Sequence, residues 1–294
     1  MTRLAERSIT IPYSATSAGT ALLTNSDDVQ AAAEALGQGA VIGQGFANFY
    51  VLTTRPAAET VRMVNLMKGR PVDQVGSITT TPSRIPLMYD WSRLPVGLTR
   101  RAVLGLIDTL FTLGPFGVRG PAAAHVPDHL VQLDGDVPTT QVIAPGYFCP
   151  SNDFLARSLD IVGADLLYVT SANRSRHRTG AVDEPAHWTV AGLREEFGRE
   201  PGFGLLAHVD EAAARRRYPD FAPMSTTIVA FHKTAGIGPQ GRVRLVVERH
   251  GSFAINDLRV ALGRLGFELA VAAGATQRLL QRDYSHRGSL GGLS

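Results

Sequence analysis

Short apolar runs of strand length alternate with amphipathic helical stretches from Ser26 to about Leu265, and no linker interrupts them. That alternation constrains the fold most, because strands interleaved with helices build a sheet covered by helices. An α/β class with one domain over residues 26–266 is expected. An irregular extension over 1–25 precedes it, and a C-terminal helix with a flexible Gly- and Ser-rich tail, 267–294, follows. Asp27 and Asp28 behind Ser26 supply an N-cap and acidic first turn for an Ala-rich helix that Gly37 stops. Gly39–Ile42 starts a buried strand. Val61, Val64, Leu66 and Met67 give Ala57–Met67 an apolar face, ended by Gly69 and Pro71. Leu98–Leu113 is another amphipathic helix. Five prolines in Phe116–Pro150 (Pro121, Pro127, Pro138, Pro145, Pro150) predict a loop-rich stretch. Ser151 is placed to cap a helix reaching Val162, and Leu166–Thr170 reads as a strand. A helix over Val190–Phe197 is followed by strands at Leu205–Val209, Thr226–Phe231 and Arg242–Glu248. Helices over Ile255–Leu265 and Glu268–Gln281 complete the expected order.

Composition narrows the setting. The single cysteine, Cys149, excludes an internal disulfide and a cysteine-built zinc site. No run approaches the roughly 20 apolar residues of a membrane helix. Arg3, Glu6 and Arg7 have no apolar stretch behind them, so no signal peptide is expected. A cytoplasmic protein with no membrane partner is the reading. Net charge is only +3, but it is built from 27 arginines and two lysines, Lys68 and Lys233. A lysine that survives such a bias is informative, because a compact ammonium does not do the work of a planar fork.

Three segments carry candidate chemistry. In Lys68-Gly69-Arg70-Pro71 a helix stops and presents a point charge and a bidentate fork one residue apart, which suits a polyphosphate. An ordinary basic helix C-terminus explains the same residues. Thr170-Ser171-Ala172-Asn173-Arg174-Ser175 lies just past a strand end, where ligands of α/β sheets bind, and a polar turn is its plain alternative. Arg174, Arg176 and Arg178 add positive charge there. Ser225-Thr226-Thr227 and Arg249-His250-Gly251 form the third pair, equally compatible with turn chemistry. His125 and His129 are spaced as a metal pair, but Pro127 between them argues against a helix, and no metal site is expected. Trp91 and Trp188 read as packing residues.

Taken together, these segments resemble the YrdC/YciO family, whose best-known members are threonylcarbamoyl-AMP synthases. The family's K-x-R-P motif is similar to Lys68–Pro71, and its T-S-A-N-x-S-G motif to Thr170–Ser175 about a hundred residues later. Its S-T-V and R-x-G segments resemble Ser225–Thr227 and Arg249–Gly251. The resemblance covers about residues 29–265. It implies a large twisted mixed sheet, flanked by helices, around a concave, positively charged cleft. It also implies ATP binding by Lys68, Arg70, Ser171, Asn173, Ser225 and Arg249, with Lys68 and Arg70 catalytic.

The departures fall in one region. The family's P-T-D-T-x-Y-G-L segment aligns with Gly45–Leu52, keeping Tyr50 and Leu52 but placing Phe46, Ala47 and Asn48 at the hydroxyl and acidic positions. Its P-G-P-x-T segment resembles Leu113–Gly117, without the threonine. The arginine of its R-x-P segment falls on Cys149, while Arg119 in Val118–Pro121 reaches it by another path. The glycine after Ser175 is Arg176. Phe46, Asn48, Tyr50 and Cys149 thus form the expected substrate pocket.

The implied function is ATP-dependent formation of a carbamoyl-adenylate from an amino acid, bicarbonate and ATP, with Mg²⁺ accompanying the ATP. The acceptor is threonine or a less polar compound that suits Phe46 and Ala47. Two other classes stand beside this reading. One is a catalytically weak module that binds tRNA or double-stranded RNA through Arg174–Arg178 and Arg215–Arg217. The other is a nucleotide-binding subunit that turns nothing over.

Overall fold

The structure, a computed structural model of the 294-residue chain, describes residues 20–176, 180 and 183–285. Most of the expected extension (1–19), His177 and Arg178 of the arginine-rich segment, and the tail from His286 lie outside the described residues. Twelve strands form one mixed sheet. They are β1 (Ala21–Leu22), β2 (Val41–Phe46), β3 (Phe49–Thr54), β4 (Ser77–Thr79), β5 (Phe116–Pro121) and β6 (Gln132–Asp134). The others are β7 (Val137–Ala144), β8 (Leu167–Ser171), β9 (Phe203–Ala207), β10 (Thr227–Ile237), β11 (Val243–Arg249) and β12 (Glu268–Val271). Their order across the sheet is β1-β9-β2-β3-β8-β4-β7-β5-β10-β11-β12, with β6 paired to β7 alone.

The helices are α1 (Ser26–Gly37), α2 (Ala58–Lys68), α3 (Arg100–Leu113), α4 (Ser151–Val162), α5 (Val190–Phe197), α6 (Glu211–Arg217) and α7 (Ile255–Arg264). α1 and α4 lie together over one end of a sheet face, where Val29, Leu36, Phe154 and Leu159 pack on Ile42, Leu167 and Leu206. The opposite face carries the larger core. There Val61 of α2, Leu106 and Leu110 of α3 and Leu258 of α7 meet Tyr50, Leu52, Val118, Val229 and Leu245. Because side chains alternate along a strand, each central strand contributes to both layers. The part of the first face that α1 and α4 leave uncovered, over β3, β8, β7, β5 and β10, holds the candidate site. No described helix is long and apolar enough to cross a membrane.

Two sequence expectations are corrected. Phe116–Pro150 is not mainly loop, since β5, β6 and β7 lie within it. Its prolines sit where the ladder tolerates them: Pro121 ends β5, and Pro138 is the second residue of β7, beside the short edge strand β6. Glu268–Gln281 is not a C-terminal helix. Glu268–Val271 pairs in parallel with Arg244–Val247 as β12, and a 3₁₀ turn follows at Ala273–Ala275. Sheet pairing here outweighs a weak helical preference. β1 and β12 therefore extend the sheet beyond the 26–266 boundaries. Capping also shifts by a residue. Asn25, rather than Ser26, accepts from Asp27 N and Asp28 N in α1. Ser151 lies inside α4 and caps nothing, its hydroxyl being 2.9 Å from Cys149 Sγ.

The β2–β3 hairpin closes through Ala47 and Asn48, between the paired Phe46 and Phe49. Ala47 has φ 58°, in the left-handed region where a Cβ is crowded by about 1–2 kcal/mol. Ala47→Gly is expected to stabilise the fold by about 1 kcal/mol after the entropy of glycine is counted. A rise in the urea midpoint measures this; an unchanged or lower midpoint would show that the hairpin does not hold that conformation.

Candidate functional site

α2 ends at Lys68 because Gly69 turns left-handed, with φ 75°. The turn is tied to a segment a hundred residues away. Ser175 N donates to Lys68 O at 2.7 Å, and the Arg174 guanidinium donates to Met67 O. Beneath this junction the Lys68 side chain is fully buried. Its ammonium donates to Ser171 O and makes a longer contact of 3.5 Å to Asn173 Oδ1, which also accepts from Ser171 Oγ at 2.6 Å. Arg70 Nη1 donates to Thr170 Oγ1 at 2.9 Å. The K-G-R-P and T-S-A-N segments are therefore one structural unit.

The other two motifs meet in the same way. Arg249, ending β11, donates from Nε to Thr226 O (2.7 Å) and from Nη2 to Thr226 Oγ1 (2.9 Å). Thr227 Oγ1 accepts from Gly251 N at 3.1 Å and Phe253 N at 3.0 Å. Glycine is required at 251, because a Cβ there would lie 2.2 Å from Ser225 O.

Between these two units lies a cavity of about 190 Å³. Arg70, Ser171, Ser225 and Arg249 line it, and so does Arg119 of β5. Ser77, Thr139, Thr170 and Thr226 add hydroxyl-bearing side chains to the lining, with Phe49, Val51, Ile143 and Val169 as its apolar part. No Asp or Glu is among the lining residues. Arg70 bonds to Thr170 and also to the Tyr168 phenol, Arg249 bonds to Thr226, and neither has a carboxylate partner among the described residues. Arg119 donates to Thr139 Oγ1 (2.9 Å) and Glu248 Oε2 (3.3 Å). Burial and the nearby Arg70 charge pull Arg249 down to about 10. The same two causes hold Lys68 well below the ordinary lysine value. The Arg70 guanidinium thus disfavours the charge of two neighbours in a partly desolvated space, a cost that a counter-charge offsets.

Of the residues singled out from sequence, Arg70, Ser171, Ser225 and Arg249 line the cavity, while Lys68 and Asn173 brace its wall from behind. Phe46 packs edge-to-face on Phe49 of the apolar lining. Asn48, Tyr50 and Cys149 are not in the pocket. Asn48 Nδ2 donates to Phe221 O at 2.8 Å. Tyr50 alternates with Phe49 and Val51, so it points through the sheet to Glu211 Oε1 (3.0 Å) and His208. Cys149 sits under the hairpin, where its sulfur accepts from Ala47 N at 3.3 Å. The arginine that reaches the cavity is Arg119, by the second of the two paths. Thr139, Gln141 and Ser77 also line the cavity, though no motif points to them; the alternation of Thr139, Gln141 and Ile143 is the available signal, masked by the flanking prolines.

The arginines of the RNA footprint are largely engaged. Arg174 pairs with Glu200 and Arg176 with Glu184. Arg215 stacks on Trp188 at 4.6 Å, and Arg216 pairs with Asp210 at 3.4 Å. His129 Nε2 contacts Pro56 O at 2.9 Å and joins no metal cluster with His125 among the described residues.

No family model and no curated protein matches the sequence. Solved structures do match the fold. A double variant of P. abyssi Sua5 superposes with a TM-score of 0.59 at 15% identity, over 83% of this chain and 61% of that one. The same protein complexed with L-threonine gives 0.57 at 14% identity, over 86% and 65%. A hypothetical protein of Streptococcus mutans UA159 gives 0.56 at 15%, over 82% and 93%. The architecture is the YrdC/Sua5 fold. At these identities the YrdC/Sua5 likeness concerns the fold alone, and the chain spans under two thirds of the two Sua5 chains.

The buried face behind the YrdC-like sheet yields a pH test. Burial, with the Arg217 charge adding to it, lowers His208 from 6.5 to about 4. The unfolded chain thus takes up a proton below about pH 6.5 that the folded chain refuses until about pH 4. Stability is expected to fall by about 3 kcal/mol as pH drops through that window, at about 1.4 kcal/mol per pKa unit. His208→Gln should flatten that part of the profile in urea titrations between pH 4 and 7; an unchanged slope would assign it to other groups.

Proposed function

We propose that the cavity binds the phosphates of ATP and transfers its adenylyl group to a carbamate, as the YrdC/YciO resemblance implies. The observation that carries this reading is the pair Arg70 and Arg249, turned into one cavity of hydroxyls without a carboxylate partner. Leaving such charges uncompensated is costly, so the site is complementary to an anion. A space of about 190 Å³ is below the roughly 300–1,000 Å³ of pockets for whole drug-sized ligands. It matches the charged end of a larger molecule whose remainder lies at the mouth.

In the proposed reaction an amine and bicarbonate condense to a carbamate with loss of water. A carbamate oxygen then forms a bond to the α-phosphorus while the bond to the bridging oxygen breaks, and pyrophosphate leaves. Arg70, Arg119 and Arg249 would neutralise the charge that grows on the phosphate oxygens, and Ser171, Ser225 and Thr226 would orient them. Lys68 would act from beneath, fixing Ser171 and Asn173 rather than touching the ligand. The lining does not fit a protein-held Mg²⁺, since it offers no carboxylate, and neutralisation falls to the guanidiniums. An acceptor entering as its carbamate needs no partner for an ammonium, in keeping with the same absence. Phe49 and Val51 in the lining, with Phe46 packed on Phe49, favour an acceptor less polar than threonine.

Bicarbonate-dependent exchange of pyrophosphate into ATP, surveyed over an amino-acid panel, tests the proposal. Arg70→Ala and Arg249→Ala are each expected to lower the rate by about 10²–10³, or about 3–4 kcal/mol. Calorimetry showing that the wild type ignores millimolar ATP would overturn it. Salt-dependent RNA binding that survives Arg70→Ala would favour the module reading instead.

A further inference from the structure

Of the three guanidiniums at the cavity, Arg119 alone carries acidic partners among the described residues. Its Nε is fixed by Thr139 and its Nη1 by Glu248, while Nη2 is buried with no protein partner. Behind Glu248 stands a closed set of charges. Glu248 Oε1 and Asp134 Oδ2 each lie 2.6 Å from Lys233 Nζ. His232 Nε2 is 2.8 Å from Asp134 Oδ2, and its Nδ1 lies 3.4 Å from Arg119 O. Consecutive strand residues normally point to opposite faces. A register shift between Ala230 and Thr234 in β10 lets His232 and Lys233 both reach Asp134.

Asp134, His232 and Glu248 bring their ligand atoms within 4.8 Å of one another, a spacing that would suit a cation, but the Lys233 ammonium already stands between the two carboxylates. A compact ammonium meets both oxygens from one nitrogen, without the bulk and fixed plane of a guanidinium. A lysine stands here in a chain with 27 arginines and one other lysine.

We propose that Glu248, clamped by Lys233, is a positioning residue for Arg119: it holds the guanidinium by one edge and keeps Nη2 turned to the anion in the cavity. A Glu248 relieved of Lys233 would have both oxygens available to the guanidinium and would compete with the ligand for Nη2. With Lys233 on one oxygen, only the other faces Arg119. The charges of Arg119, Lys233, Glu248 and Asp134 cancel, so the set contributes geometry rather than net field, leaving Arg70 and Arg249 as the uncompensated attraction. The proposal rests on the reading of the cavity as an anion site.

Calorimetric titration of the full chain with inorganic pyrophosphate, and separately with ATP, provides the test. Glu248→Gln removes a negative charge, so simple electrostatics predicts tighter pyrophosphate binding. Positioning predicts binding about tenfold weaker. In an Arg119→Ala background the same substitution should change affinity by less than about twofold, because Glu248 acts through Arg119. Lys233→Met, at a half-exposed position, should repeat the pattern if Glu248→Gln does not fold. Tighter or unchanged binding in Glu248→Gln, or an equal loss with and without Arg119, would overturn the proposal. A wild type that binds pyrophosphate but not ATP would overturn the adenylation reading and leave this one standing; binding of neither would overturn both.

Discussion

An ammonium without water is among the costliest groups a fold can bury, and Lys68 is fully buried. Its bonds to Ser171 and Asn173, together with the backbone bond from Ser175 to Lys68, make the end of α2 and the end of β8 a single rigid junction. Arg70 is aimed by that junction, one left-handed glycine beyond it. On the far side, Arg249 is held by Thr226 and by the close approach that Gly251 permits. The site is the space these two anchors leave between them.

Charge in that space is unevenly compensated. Arg119 belongs to a neutral set with Glu248, Lys233 and Asp134, whereas Arg70 and Arg249 face the cavity bare of carboxylates. The contrast separates two jobs that guanidiniums do: one is held in a set orientation, the others supply attraction. Both lysines of the chain lie in such junctions, Lys68 under the wall and Lys233 behind Arg119. In each, one ammonium gathers two oxygens from different residues.

Much of the site was legible in the sequence because its motifs combine residue type with fixed local geometry. Lys68-Gly69-Arg70 implied a helix stop, and Thr170–Asn173 a strand end, whatever the rest of the chain did. Arg119 is legible only as one of two paths, and Thr139 and Gln141 are hidden, because prolines in their strands imitate loop while their contribution comes from pairing of β5 with β7. Alignment with a family motif puts Tyr50 and Cys149 at the pocket. Alternation along β3 carries Tyr50 to the other face, and Cys149 folds beneath the hairpin instead.

By itself the sequence determined the α/β class, the helix stops, the one-cysteine chemistry and the residue types that can meet an anion, since these follow from local periodicity, composition and side-chain chemistry. Only the tertiary structure decided which face of the sheet those residues share, which of two paths brings an arginine to the cavity, and that Lys68 lies behind the wall. Strand register and long-range packing set these, and neither is encoded within any short window of the chain.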